Sequence, residues 1–78
     1  MLTNYKSMEE LINKLAEILE VEELDITKKF VDYDEWDSLT SLSILAMLVS
    51  DYNMSMTFKD LTSFESIEAF CKEVISRQ

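Results

Sequence analysis

The chain has 78 residues, 16 of them acidic against 7 basic, for a net charge of −9. One small domain is all that this length holds, and its 47% hydrophobic content is too high for an acidic disordered tail. There is no histidine and a single cysteine, Cys71, so imidazole bases, Ser-His-Asp or Cys-His nucleophiles, disulfide frameworks and cysteine-rich zinc sites are all excluded, and the acidic surface disfavours nucleic acid and anionic membranes.

The first six residues lack a basic stretch followed by an apolar one, and no apolar run is long enough to span a bilayer. A cytoplasmic protein without membrane insertion is therefore expected. Gly and Pro are absent, so turns fall to Asn, Asp and Ser. Met8, Leu11, Ile12, Leu15, Ile18 and Leu19 recur at spacings of three and four, which predicts a helix over about 8–20. Ser7 and Glu10 read as a capping box before it, and Glu10 and Lys14 as an i,i+4 pair on its wet side.

From Val21 to about Asp37 no periodicity persists. Phe30 and Trp36 are expected to fold back and pin this long connection to the helices. Asp37 is a suitable N-cap, offering its carboxylate to the amide of Leu39 or Thr40, and Ser38–Tyr52 reads as helix with Asn53 closing it in a left-handed conformation. A short turn of helix at about 57–62 with Phe58 and Leu61 inward comes next. The last helix, about 66–76, is capped by Ser66 or Ser63, carries Ile67, Phe70, Cys71, Val74 and Ile75 inward, and pairs Glu68 with Lys72 outside. Cys71 lies on that apolar stripe and reads as a small core residue rather than a reactive thiol.

The helix from Ser38 carries more apolar surface than a core requires. Ile44, Leu45, Leu48 and Tyr52 form one face. Leu39, Leu42, Ala46 and Val49 form a neighbouring face bordered by Ser43 and Ser50, and Thr40, Met47 and Asp51 mark a narrow third sector. Three partner helices, one of them very short, leave the second face at least partly exposed, which suggests a docking surface. The alternative is that these residues are simply core.

Ser38 opens this helix, where free amides and the positive end of the helix dipole favour a phosphate on its hydroxyl. A serine in that place is by itself a commonplace cap. The arrangement as a whole, however, resembles the acyl carrier protein family: an amphipathic first helix, a long ordered loop, Asp37-Ser38-Leu39 opening the second helix, a short third helix and an apolar fourth. The resemblance implies an all-α, four-helix carrier domain spanning residues 1–78. It implies 4′-phosphopantetheine from coenzyme A on Ser38, and Asp37 helping to hold the magnesium ion used by a phosphopantetheinyl transferase. It also implies that Leu39, Leu42, Ser43, Ala46 and Val49 belong to a partner-docking surface, and that cargo inserting into the core would meet residues such as Leu45, Leu48 and Ile67.

On this reading the protein is a non-catalytic, monomeric carrier. It presents an acyl or aminoacyl thioester to an activating enzyme and then to a downstream transferase or synthase.

The sequence departs from the fatty-acid type of carrier in having no acid between Asp37 and Asp51, and in having Glu35-Trp36 where a small Gly-Ala pair is usual. A dedicated pathway is therefore expected, with apolar contact on the second helix and charge steering from the loop. The carboxylates Asp32, Asp34, Glu35 and Asp37 do not follow the spacing of a calcium loop, and no resident metal is expected. A helical interaction module, a carrier homologue that is never modified and, last, a carboxylate-only enzyme are the competing readings.

Overall fold

A computed structural model of the chain describes residues 7–78. The described residues form four helices and no strand: α1 (Met8–Leu19), α2 (Ser38–Tyr52), α3 (Phe58–Ser63) and α4 (Ile67–Ser76), with a 3-10 turn at Phe30–Asp32 inside the long α1–α2 connection. α1 packs on α2 and α4, while α3 bridges α2 and the 3-10 turn. The all-α, four-helix fold expected from sequence is the one observed.

Each helix begins on a side-chain cap. The hydroxyls of Ser7, Thr57 and Ser66 accept from the amides of Glu10, Asp60 and Ala69, and the Asp37 carboxylate accepts from that of Thr40. Such caps satisfy amides that have no partner within the helix, and each contributes about 1 kcal/mol. In a chain without glycine, the left-handed positions that close α1 and α2 fall to Glu20 (φ 59°) and Asn53 (φ 54°). α1 thus ends one residue earlier than its periodicity suggests.

The core is drawn from all four helices and the loop. Leu11, Leu15 and Leu19 of α1 meet Ile44, Leu48 and Tyr52 of α2, Leu61 of α3, and Ile67, Phe70, Cys71 and Val74 of α4, with Phe30 beneath the connection. Burial of each large side chain stabilises the fold by roughly 1.5–3 kcal/mol.

Three sequence expectations change. Met47 is buried rather than marking the narrow third sector, and Ser41 is buried as well, with α1 and α3 both packed on α2. The Ser41 hydroxyl remains satisfied by donating to the Ser38 carbonyl at 2.9 Å. Phe58 is not inward: it is 51% exposed, with its ring stacked on Trp36 at 6.0 Å. Lys14 pairs across helices with Asp51 at 2.8 Å instead of locally with Glu10. Its proton affinity is raised first by that hydrogen bond. The expected Glu68–Lys72 pair is present at 3.7 Å.

Candidate functional site

The long connection is held at both ends. The amides of Ile67 and Glu68, the first two of α4, donate to the carbonyls of Lys28 and Ile26, each at 2.8 Å. Since Ala69 and Phe70 donate to the Ser66 hydroxyl and carbonyl, every free amide in the first turn of α4 has a partner. Within the loop, Asp25 forms a turn with Thr27, its carboxylate accepting from the amide at 3.0 Å and the hydroxyl at 2.6 Å. Those bonds hold its carboxyl below the usual range. The Asp25 amide donates to the Tyr33 hydroxyl at 2.7 Å.

Aromatic rings then carry the chain to α2. Phe30 packs edge-on to Phe70 at 5.0 Å and stacks on Trp36 at 5.3 Å, and Trp36 stacks in turn on Phe58. Phe64 abuts Phe70 at 5.5 Å. A run of five rings thereby ties the residue two before Ser38 to the 3-10 turn, α3 and α4. Aromatic pairs of this kind contribute about 0.5–1.5 kcal/mol each beyond their burial. The packing role expected of Phe30 and Trp36 is thus observed.

From this anchored point the chain enters α2 through a reciprocal cap. Thr40 donates its amide to Asp37 Oδ1 at 2.8 Å, and Asp37 donates its amide to Thr40 Oγ1 at 2.9 Å. Asp37 is extended at φ −154° and ψ −175°, so Ser38 is the first helical residue. Ser38 is exposed. No hydrogen bond among the described residues uses its hydroxyl, its amide or the amide of Leu39. A free hydroxyl beside two free amides at the positive end of a 15-residue helix fits a phosphodiester. Asp37 Oδ2 is likewise free of hydrogen bonds among the described residues.

Beyond Ser38 the outward side of α2 is apolar. Leu39, Leu42 and Val49 are 71%, 60% and 57% exposed, and Ala46 and Ser43 are exposed with them. Leu45 is half-buried, Leu48 and Ile67 fully buried. The fully buried Cys71 thiol is pushed up to about 12, chiefly by desolvation and secondarily by Glu68, which makes it inert as a nucleophile. Among the described residues no group of three or more acidic or cysteine side chains is placed to hold a metal ion, and no helix is long and apolar enough to cross a membrane.

The family model described as phosphopantetheine attachment site matches residues 9–74, a span that takes in nearly all of the four helices and the whole connection. The chain belongs to this family, that of the phosphopantetheine-dependent acyl carrier proteins, and its cofactor is covalently attached 4′-phosphopantetheine. It is a phosphopantetheine-carrying carrier protein. Domains of this family are in general non-catalytic and interact with phosphopantetheinyl transferases and acyl-processing enzymes. No curated protein and no solved structure matched the chain significantly.

Sequence reasoning missed two contributors to this site: Phe58, whose ring backs Trp36, and the Lys28 and Ile26 carbonyls. A helix of 6 residues is too short for periodicity to place the first. Backbone carbonyls leave no trace in residue type.

Proposed function

We propose that Ser38 is the residue that receives 4′-phosphopantetheine, and that the chain is a single carrier domain holding an acyl or aminoacyl group for enzymes of a dedicated pathway in the cytoplasm. The observation that carries this reading is the exposed, uncommitted Ser38 hydroxyl at the first turn of α2, inside the span matched by the family. When bound, the arm supplies a terminal thiol on which cargo is carried as a thioester. The chain's own part is to offer one oxygen in a fixed place. The Ser38 and Leu39 amides favour the phosphate, and Asp37 helps position a magnesium ion during transfer through the oxygen its cap leaves free. Leu39, Leu42, Ser43, Ala46 and Val49 form the surface that a transferase, an activating enzyme and a downstream transferase or synthase share in turn. No acid stands on α2 between Ser38 and Asp51, so recognition there is apolar, with steering from Asp32, Asp34 and Glu35. The protein acts as a monomer, catalyses nothing itself and needs no resident metal.

Incubation with coenzyme A, magnesium and a broad-specificity phosphopantetheinyl transferase, read by intact mass, tests this. One phosphopantetheine is gained by the wild type and none by Ser38→Ala, which remains folded because the hydroxyl supports nothing else. A wild-type chain that gains no mass leaves the exposed face of α2 as an interaction surface only, and the attachment reading fails.

A further inference from the structure

A groove follows the seam between α1 and α2. Its end nearest Ser38, about 330 Å³, is bordered by Glu20, Glu35, Asp37, Leu39 and Thr40. Its far end, about 550 Å³, is bordered by Glu17, Ala46, Met47, Ser50 and the Lys14–Asp51 pair. Ile18 and Ser43 line both parts, so the two depressions meet there. The groove stays open because α2 contributes Thr40, Ser43, Ala46 and Ser50 to it, where longer side chains would fill the space against α1.

The chemistry of this groove is one-sided. Glu17 stands on α1 and Glu20 caps its C-terminal end, and Glu35 and Asp37 precede α2. Lys14 is the only cation among the described lining residues, and Asp51 neutralises it at 2.8 Å. The last turn of α1 carries no basic residue, so the negative end of its dipole adds to the rim. Ile18 and Met47 supply an apolar floor, and the exposed Leu39 flanks the end nearest Ser38. At a rise of 1.5 Å per residue, Ala46 lies about 12 Å and Ser50 about 18 Å along α2 from Ser38, within the span of an extended phosphopantetheine. The Ser43 hydroxyl, unused by any hydrogen bond among the described residues, stands midway as a partner for the arm's amides.

We propose that the arm lies in this α1–α2 groove, and that the acidic rim favours cargo bearing a cation, an aminoacyl group, over cargo bearing a carboxylate. The inference rests on Ser38 being the attachment residue. An ammonium carried on the arm is attracted by Glu17 at the far end and by Glu20, Glu35 and Asp37 towards Ser38, with no unpaired cation among the described lining residues to compete; a neutral acyl group is indifferent to them, and a carboxylate is repelled. The rim groups on α1 are exposed, so the preference is modest, about threefold in the docked fraction, and weakens with salt.

The test uses three coenzyme A analogues with a stable amide in place of the thioester, carrying β-alanyl, butyryl or succinyl groups, each transferred to isotope-labelled protein. Intact mass is read first. The amide resonances of Ile18, Ser43, Ala46 and Ser50 are then compared with those of the unmodified chain. We expect shifts at these four positions, largest for β-alanyl and smallest for succinyl, with the difference cut at least about twofold by 0.5 M salt or by the double variant Glu17→Gln, Glu20→Gln. Absence of a mass gain overturns the attachment reading and this proposal with it. A mass gain with shifts confined to residues 36–40, or centred on Leu48, Ile67 and Phe70 of the core, overturns the groove alone. So does a succinyl arm that shifts the groove as much as a β-alanyl arm, or a preference that the double variant leaves intact.

Discussion

Burial holds the Cys71 proton until about pH 12, against an ordinary value of 9.0. The unfolded chain releases that proton near pH 9, so the stability linked to it is complete below pH 9 and is lost progressively between about 9 and 12. Tyr52, raised by desolvation, and Lys14, raised by its bond to Asp51, act in the same sense at higher pH. Urea denaturation should therefore give a flat midpoint from pH 6 to 8.5 and a falling one above 9. Cys71→Ala should lower the neutral-pH midpoint yet flatten the early part of the decline. A wild-type midpoint that rises above pH 9 would contradict the assignment.

At this scale the sequence was legible wherever a residue's own stripe decided its fate, as for Cys71. It was not legible for Glu20, because a charged residue is an unusual choice for the left-handed region and stands there only because the chain has no glycine. Nor was the partner of Lys14 readable, since Glu10 is closer in sequence and Asp51 only in space.

Among the elements, α2 shows most clearly what periodicity can and cannot deliver. Its excess of apolar residues foretold that Leu39, Leu42, Ala46 and Val49 would remain in solvent, and they do. The same wheel misjudged Met47, because the width of the buried sector depends on where α1 and α3 sit, which no single helix records. Phe58 went the same way: one turn of helix has too few residues to define a face, and its ring follows Trp36 instead.

The two sides of α2 should separate by mutation. Leu39→Ser combined with Leu42→Ser should change stability by no more than about 0.5 kcal/mol per site. It should also slow phosphopantetheine transfer about tenfold, the cost of one good interface contact. Leu48→Ala, on the buried side, should cost about 2–5 kcal/mol. Thermal melts and single-turnover transfer assays distinguish these effects, and an unfolded Leu39/Leu42 variant would assign that face to the core.

Taken whole, the molecule combines four short helices with a connection longer than its longest helix, and its single cysteine leaves it no internal disulfide for a brace. The order of that connection was legible from Phe30 and Trp36, which had no other place to go. Its attachment to α4 was not. The amides of Ile67 and Glu68 find their acceptors about 40 residues back in the chain, and a carbonyl is common to every residue type. That cap makes the C-terminal segment a tenant of the loop and the loop a dependant of the C-terminal segment. A stop codon after Ser63 would remove more than a helix, since the Phe30–Phe70 contact and both loop carbonyls would lose their counterparts at once and the stacked Phe30, Trp36 and Phe58 rings would be left without their anchor on α4. Hydrogen exchange should register this mutual dependence: the Ile67 and Glu68 amides ought to open at the same rate and with the same denaturant response as the Trp36 indole environment, and independent opening would show the two ends to be separately anchored.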